Sequence, residues 1–157
     1  MEKEDFTGLY NKADKQILQY AEDTIDRSVD RVQEIIAYAK EANINSIGIA
    51  NCTTFTREAK ELQSRLTNEG FKVERVHCKY GRVPFSDLID GHDGISCNPA
   101  GQAKYLEERG TELNIMMGLC LGHDMIFNAK SKAPVTPLIV KDRKLNHKTF
   151  EILRSEK

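Results

Sequence analysis

The chain lacks an excess of charge of either sign. Lys and Arg number 23 against 24 Asp and Glu, a formal net charge of −1 over 157 residues. With no bulk basic field to follow a phosphate backbone, no nucleic acid partner is expected. Long apolar runs are also lacking, and no stretch approaches the roughly 20 residues of a membrane span. The start, Met1-Glu2-Lys3-Glu4-Asp5, is charged and has no apolar core of the kind a signal peptide carries. A cytoplasmic location with no membrane partner is therefore the expectation. Internal repeats and low-complexity segments are missing. Cysteine is scarce, with four in all, and no two form a Cys-x-x-Cys pair. In a reducing compartment Cys52, Cys78, Cys97 and Cys120 are expected to be free, metal-bound or redox-active rather than structural disulfides.

What is present reads as one domain, long enough to bury a core without covalent staples. Tyr10, Ala13, Ile17 and Ala21 recur at helical spacing, as do Ile25, Val29, Val32, Ile36 and Ala39. They predict two helices, or one bent helix, over residues 1–43, with Asn43 as a left-handed stop. This segment contains no Cys or His. Ser46 to Ala50 then reads as a strand ending in Asn51-Cys52-Thr53-Thr54. Either threonine is expected to cap the next helix. That helix buries Phe55, Ala59, Leu62 and Leu66 and stops at Gly70. Phe71 to Val76 reads as the second strand, leading into His77-Cys78-Lys79. Strand, helix, strand in this order predicts parallel pairing.

Gly81 to Cys97 is the least regular stretch, interrupted by Pro84, Gly91 and Gly94 and made acidic by Asp87, Asp90 and Asp93. A long connection of this kind is often functional. It ends in Cys97-Asn98-Pro99, where Asn98 fits an N-cap and Pro99 the first helical position. The helix runs through Ala103 and Leu106 to Gly110. Leu113 to Met117 and Val135 to Val140 read as further strands, and Phe150 to Leu153 as a short final element. The expected architecture is α/β. It is a three-layer, Rossmann-like open sheet, mainly parallel, of four to five strands. The N-terminal helices occupy 1–43 and the α/β core 44–157.

Gly118-Leu119-Cys120-Leu121-Gly122-His123-Asp124 follows the third strand and precedes a short helix, Met125 to Ala129. Ligands bind at such turns, outside the carboxyl ends of parallel strands. The helix that follows favours thiolate over thiol there. Cys52 and Cys78 also follow strands, and Cys97 precedes a helix. If the strands carrying Cys52, Cys78 and Cys120 are neighbours, with the first in the middle, the sulfurs converge. Four thiolates, or three with His123, would suit zinc or an iron–sulfur cluster. His77 is expected to point away from Cys78, because neighbours on a strand alternate faces. His92 and His147 lie in polar surroundings and read as solvated. Asp124 fits an N-cap as well as a ligand. Lys141 and Arg143 would hold an anion if they face the turn.

These residues resemble a family of uncharacterised prokaryotic proteins, a domain of unknown function described as metal-binding. The resemblance rests on Cys52 with Glu58-Ala59, on Cys78-Lys79-Tyr80-Gly81, and on Cys97-Asn98-Pro99 with Gln102-Ala103. It rests also on Gly118 to Asp124, on Ala133 to Thr136, and on Lys141 to Arg143. It spans about Asn45 to His147. Family members commonly carry an additional N-terminal cysteine-rich segment, which this sequence does not contain. They also tend to have His-Asn-Pro where this chain has His147-Lys148-Thr149. The resemblance implies metal binding and supplies no reaction.

Three functions compete. One is a metal site on Cys52, Cys78, Cys97 and Cys120 with His123, holding zinc or an iron–sulfur cluster. Another is a thiol-dependent enzyme or sulfur carrier, with Cys120 as nucleophile and His123 as base or proton donor. The third is a small-molecule or anion-binding domain whose cysteines line the pocket beside Lys141 and Arg143.

Overall fold

The computed structural model describes residues 5–154. The chain divides into two compact units, Met1–Ile44 and Asn45–Lys157. The first holds α1 (Lys12–Asp23) and α2 (Arg31–Glu41). Each starts at a capping box, Asn11 with Asp14 and Asp30 with Gln33, which satisfies two of the free N–H groups of the first turn. The Tyr20 and Tyr38 rings meet edge to face at 6.3 Å, between the two helices. Asn43, at φ 53°, ends α2 as expected. The helical spacing of the sequence ran past the true ends. Tyr10 precedes α1, and Ile25 and Val29 lie between the helices. In α2 the buried positions are Ile35 and Ala39, and Ile36 is half-buried.

The second unit is a four-stranded parallel sheet in the order β2-β1-β3-β4. Its strands are β1 (Ser46–Asn51), β2 (Lys72–His77), β3 (Leu113–Met117) and β4 (Val135–Ile139). Between them run α3 (Thr56–Asn68), α4 (Pro99–Glu108) and α5 (His123–Lys130). The expected strand order holds, with β1 flanked by the strands that lead to Cys78 and Cys120. All six residues of β1 and all five of β3 are buried, as central strands covered on both faces must be. Pro137 is tolerated because β4 is an edge strand, and the register slips beside it between Met116 and Met117.

From β1 the chain crosses to β2 on one side and, through α4, to β3 on the other. With right-handed crossovers this sends α3 and α4 to opposite faces, giving three layers. Alternation along β1 agrees. Gly48 faces Leu106 of α4, and Ala50 packs in one cluster with Ala103, Leu106 and Phe127. Ile47 and Ile49 turn to the other face. Gly48 has no room for a side chain, since a Cβ would strike Asn114 Oδ1 and both Leu106 methyls. Gly48→Ala is therefore expected to lose about 1–3 kcal/mol of unfolding free energy by urea titration, the usual cost of overpacking.

Three local expectations are corrected or refined. Neither Thr53 nor Thr54 caps α3. Residues Thr53–Phe55 form a 3₁₀ turn instead, with the Phe55 N–H donating to Cys52 O at 2.9 Å. The two hydroxyls are drawn to sulfur rather than to backbone. The acidic loop is better ordered than its composition implies. Pro84 and Ile95 form an antiparallel bridge, and the Phe85 and Ser96 N–H groups bond Gly94 O and Val83 O at 2.8 and 2.9 Å. The final element, Thr149–Leu153, is a 3₁₀ helix.

Candidate functional site

The parallel ladder runs one residue past the ends of the strands, and this places the cysteines. The Cys52 N–H donates to Met117 O at 3.0 Å and the Cys78 N–H to Asn51 O at 2.9 Å. Cys52 and Cys78 thus follow Ala50 and Val76 in the alternation and join their buried cluster on the α4 side. The Asn98 N–H donates to Cys78 O at 2.7 Å, closing the acidic loop on itself. Asn98 caps α4, its Oδ1 accepting from the Gly101 N–H at 2.8 Å, with Pro99 at the first helical position as expected. Those two bonds bring Cys97 back beside Cys78, with Sγ 3.7 Å from Sγ.

Two further sulfurs meet cations. Lys141 Nζ donates to Cys52 Sγ at 2.9 Å and to Thr54 Oγ1 at 3.0 Å. Thr54 Oγ1 is itself 3.5 Å from Cys52 Sγ, so the three atoms form a closed triangle. Lys141 Nζ also lies over the Phe55 ring, 5.4 Å from its centroid. Arg143 Nη2 donates to Cys120 Sγ at 3.3 Å. Of the two residues read from the sequence as anion ligands, Arg143 meets the turn at Cys120, while Lys141 sets its charge on Cys52 at the end of β1.

The two buried thiols are driven in opposite directions. Burial pushes the Cys52 thiol up, and against it act the hydrogen bond from Lys141, the Thr54 hydroxyl, the Thr54 N–H and the lysine charge. Burial is the largest single influence, and only the Lys141 and Thr54 contributions together exceed it, bringing the thiol down to about 6. Burial pushes Cys78 up to about 11, against a backbone bond from Thr53 and with help from neighbouring Cys52 and Cys97. The sign for stability follows from each. Ionised Cys52 stabilises the fold in full above the pKa of an unfolded thiol, and that share is lost as pH falls through about 6. Neutral Cys78 stabilises it in full below the unfolded value, and its share is lost as pH rises toward 11. Relative to Cys52→Ser, the native chain should gain stability from pH 6 to 9. Relative to Cys78→Ser, it should lose stability from pH 9 to 11. Chemical unfolding across that range checks both.

The histidines separate. His123 opens α5, its N–H donating to Cys120 O at 2.9 Å, and the Asp124 N–H donates to the same oxygen at 3.1 Å. Asp124 is not the cap. Gly122 holds that place at φ 85°, and Asp124 Oδ1 accepts from the Met125 N–H at 2.7 Å. His77 is exposed, its Nδ1 accepting from the Lys79 N–H at 3.1 Å, away from the thiols. His92 stacks on Phe85 in the acidic loop. His147 is not merely solvated. Its Nδ1 accepts from the Asp142 N–H at 3.0 Å, and its ring meets Phe55 at 4.6 Å. Asn146 and His147 both adopt positive φ, 48° and 68°, which folds the segment back and pins it next to Lys141.

Gln102 was not singled out as a site residue by the sequence reading. It is fully buried, and its Nε2 donates to Asn51 O at 3.3 Å and Val76 O at 3.0 Å. It ties together the strand ends that carry Cys52 and Cys78. A buried glutamine on the inner face of an otherwise apolar helix was the available signal. Among the described residues, no three His, Cys, Asp or Glu side chains are gathered to hold one ion. Nor is any helix there long and apolar enough to cross a membrane.

A parallel α/β sheet with four free cysteines at its carboxyl edge defines a thiol-bearing α/β protein. The sequence profile of DUF1847, a family of proteins of unknown function, matches residues 2–138, and the chain belongs to that family. An uncharacterized protein of the archaeon Methanocaldococcus jannaschii is 41% identical over 139 residues, covering 85% of this chain and 72% of the relative.

Proposed function

We propose that the carboxyl edge of the sheet is a thiol-reactive site in which Cys52 is the nucleophile. The observation that carries this reading is the Lys141 ammonium 2.9 Å from the Cys52 sulfur. A thiolate, not a thiol, is the reacting species, and a neighbouring cation favours it. The substrate class is a small disulfide. Cys52 sulfur attacks one substrate sulfur, an S–S bond forms to Cys52, and the second substrate sulfur leaves as thiolate. The leaving thiolate departs to solvent, which protonates it as its own acidity requires. Arg143 and Lys141 supply positive charge where negative charge moves. In this reading Cys120, on the turn before α5, and His123, at its first position, do not carry the nucleophile-and-base roles that their spacing suggests.

The test uses an aromatic disulfide reagent on single-cysteine variants. Cys52→Ser is expected to remove the fast phase at neutral pH, and Cys120→Ser to keep it. Retention of the fast phase in Cys52→Ser would reject the assignment.

The Cys78–Cys97 separation favours a second reading, capture of zinc. Two thiolates about 2.3 Å from a tetrahedral ion lie about 3.8 Å apart, close to the 3.7 Å between these sulfurs. That pair fits the metal. Cys52 and Cys120 fit it less well, because Lys141 and Arg143 already hold them. An iron–sulfur cluster needs four thiolates, so zinc is the better match. Zinc supplied to reduced protein and retained in Cys52→Ser, but lost in Cys78→Ser and Cys97→Ser, would support this reading over the first.

A further inference from the structure

Three contacts fix the Lys141 amine against the Cys52 sulfur: the direct bond, the shared Thr54 hydroxyl and the Phe55 ring beneath Nζ. Cys52 is 7% exposed, so its sulfur is largely covered yet still open to small reagents. The direct N–S contact of 2.9 Å is well inside the 3.5 Å of the sulfur–hydroxyl contact beside it. Only a slight closure is needed to place one oxygen atom between nitrogen and sulfur. Cys78, the obvious disulfide partner for an oxidised Cys52, is occupied by Cys97 at 3.7 Å and is held as a neutral thiol.

We infer that Cys52 and Lys141 are a modification site, joined by peroxide through a covalent N–O–S bridge that switches the thiol off. The inference rests on Cys52 being the reactive thiolate. In the first step the Cys52 sulfur attacks one peroxide oxygen. An S–O bond forms, the O–O bond breaks, and the departing hydroxide takes a proton to become water. Sulfur is oxidised by two electrons and peroxide is reduced, leaving Cys52 as a sulfenic acid. In the second step Lys141 gives its extra proton to solvent and reacts as the amine. The amine nitrogen attacks an oxygen of a second hydrogen peroxide, an N–O bond forms and the O–O bond breaks. Nitrogen is thereby oxidised by two electrons to a hydroxylamine, and water leaves. The hydroxylamine oxygen then attacks the sulfenic sulfur, an S–O bond forms, and the sulfenic hydroxyl leaves as the second water. The bridge carries one oxygen more and two hydrogens fewer than the reduced pair. It removes both the nucleophile and the cation that activates it.

The experiment treats the full chain, reduced beforehand, with a small excess of hydrogen peroxide, followed by intact-mass and peptide mass spectrometry. The expected product has gained one oxygen and lost two hydrogens, with the Cys52 and Lys141 peptides joined, and a dithiol reductant reverses it. Cys78→Ser should keep the product, since the route does not pass through that thiol. Lys141→Arg keeps the charge but should reduce the joined peptide to background. A Cys52 sulfinic acid or a Cys52–Cys78 disulfide, with the Lys141 peptide free, would overturn the inference. The same preparation is titrated with the aromatic disulfide reagent, which separates the two ideas. Fast Cys52 labelling without a bridge sinks the bridge alone, and slow labelling sinks the nucleophile as well.

Discussion

Lys141→Met is expected to move the inflexion in Cys52 reactivity from about pH 6 to about pH 9, the ordinary value of a thiol. Burial already opposes ionisation at this sulfur, and it is not overcome without the ammonium. Removing the charge therefore leaves burial opposed only by the Thr54 hydroxyl and N–H. The rate changes less than the ionised fraction does. At pH 6 that fraction falls roughly 500-fold, while a more basic thiolate is intrinsically faster by about 20-fold over three pH units, for a net loss of roughly 25-fold. At pH 9 the order should reverse, the half-ionised but more basic variant thiolate reacting about 10-fold faster than the native one. A stopped-flow pH profile with the disulfide reagent reads this directly. Equal loss at every pH would mean the lysine only shapes access to the sulfur.

Gly118→Ala should produce the largest loss of stability at the site itself. Gly118 sits at φ 61°, where an L side chain costs about 1–2 kcal/mol. A Cβ there would also drive into the Phe55 ring, and overpacking of that kind adds about 1–3 kcal/mol. Together these approach the lower end of the roughly 5–15 kcal/mol that holds a domain folded. The damage should not stop at stability. Phe55 supports Lys141 from below and His147 at its edge, so a displaced ring releases both. Urea unfolding should show the loss, and the same pH profile should show Cys52 inflecting at higher pH. A variant with lowered stability but an unchanged inflexion near 6 would mean that the Phe55 ring does not position the lysine.

The sheet could be read from the sequence because its signals are local. Short apolar runs ended at Cys52 and Cys78, Asn98-Pro99 announced α4, and the βαβ order required parallel strands. Knowing that β1 lies between β2 and β3 was enough to bring Cys52 and Cys78 to one edge. The boundaries of α1 and α2 were less legible, because apolar residues such as Tyr10, Ile25 and Val29 continue the helical period outside the helices. The cap of α3 was misassigned because hydroxyl residues suit a helix N-terminus and a thiolate equally well, and only packing decides between them. The proposed nucleophile differs from the one the spacing suggested for a similar reason. Cys120 lies in the conspicuous turn, but the decisive contact joins Cys52 to Lys141, 89 positions apart, through two strands that are not neighbours. The fate of His147 depended on two positive-φ residues in succession, which no periodicity reveals.

The most direct measurement is an NMR titration of the cysteine Cβ shifts in the reduced, metal-free chain, each resonance assigned by single Cys→Ser variants. The account predicts that the Cys52 Cβ titrates near pH 6 and that Cys78 stays protonated to well above pH 9. A Cys52 resonance that remains that of a thiol through pH 8 would contradict it.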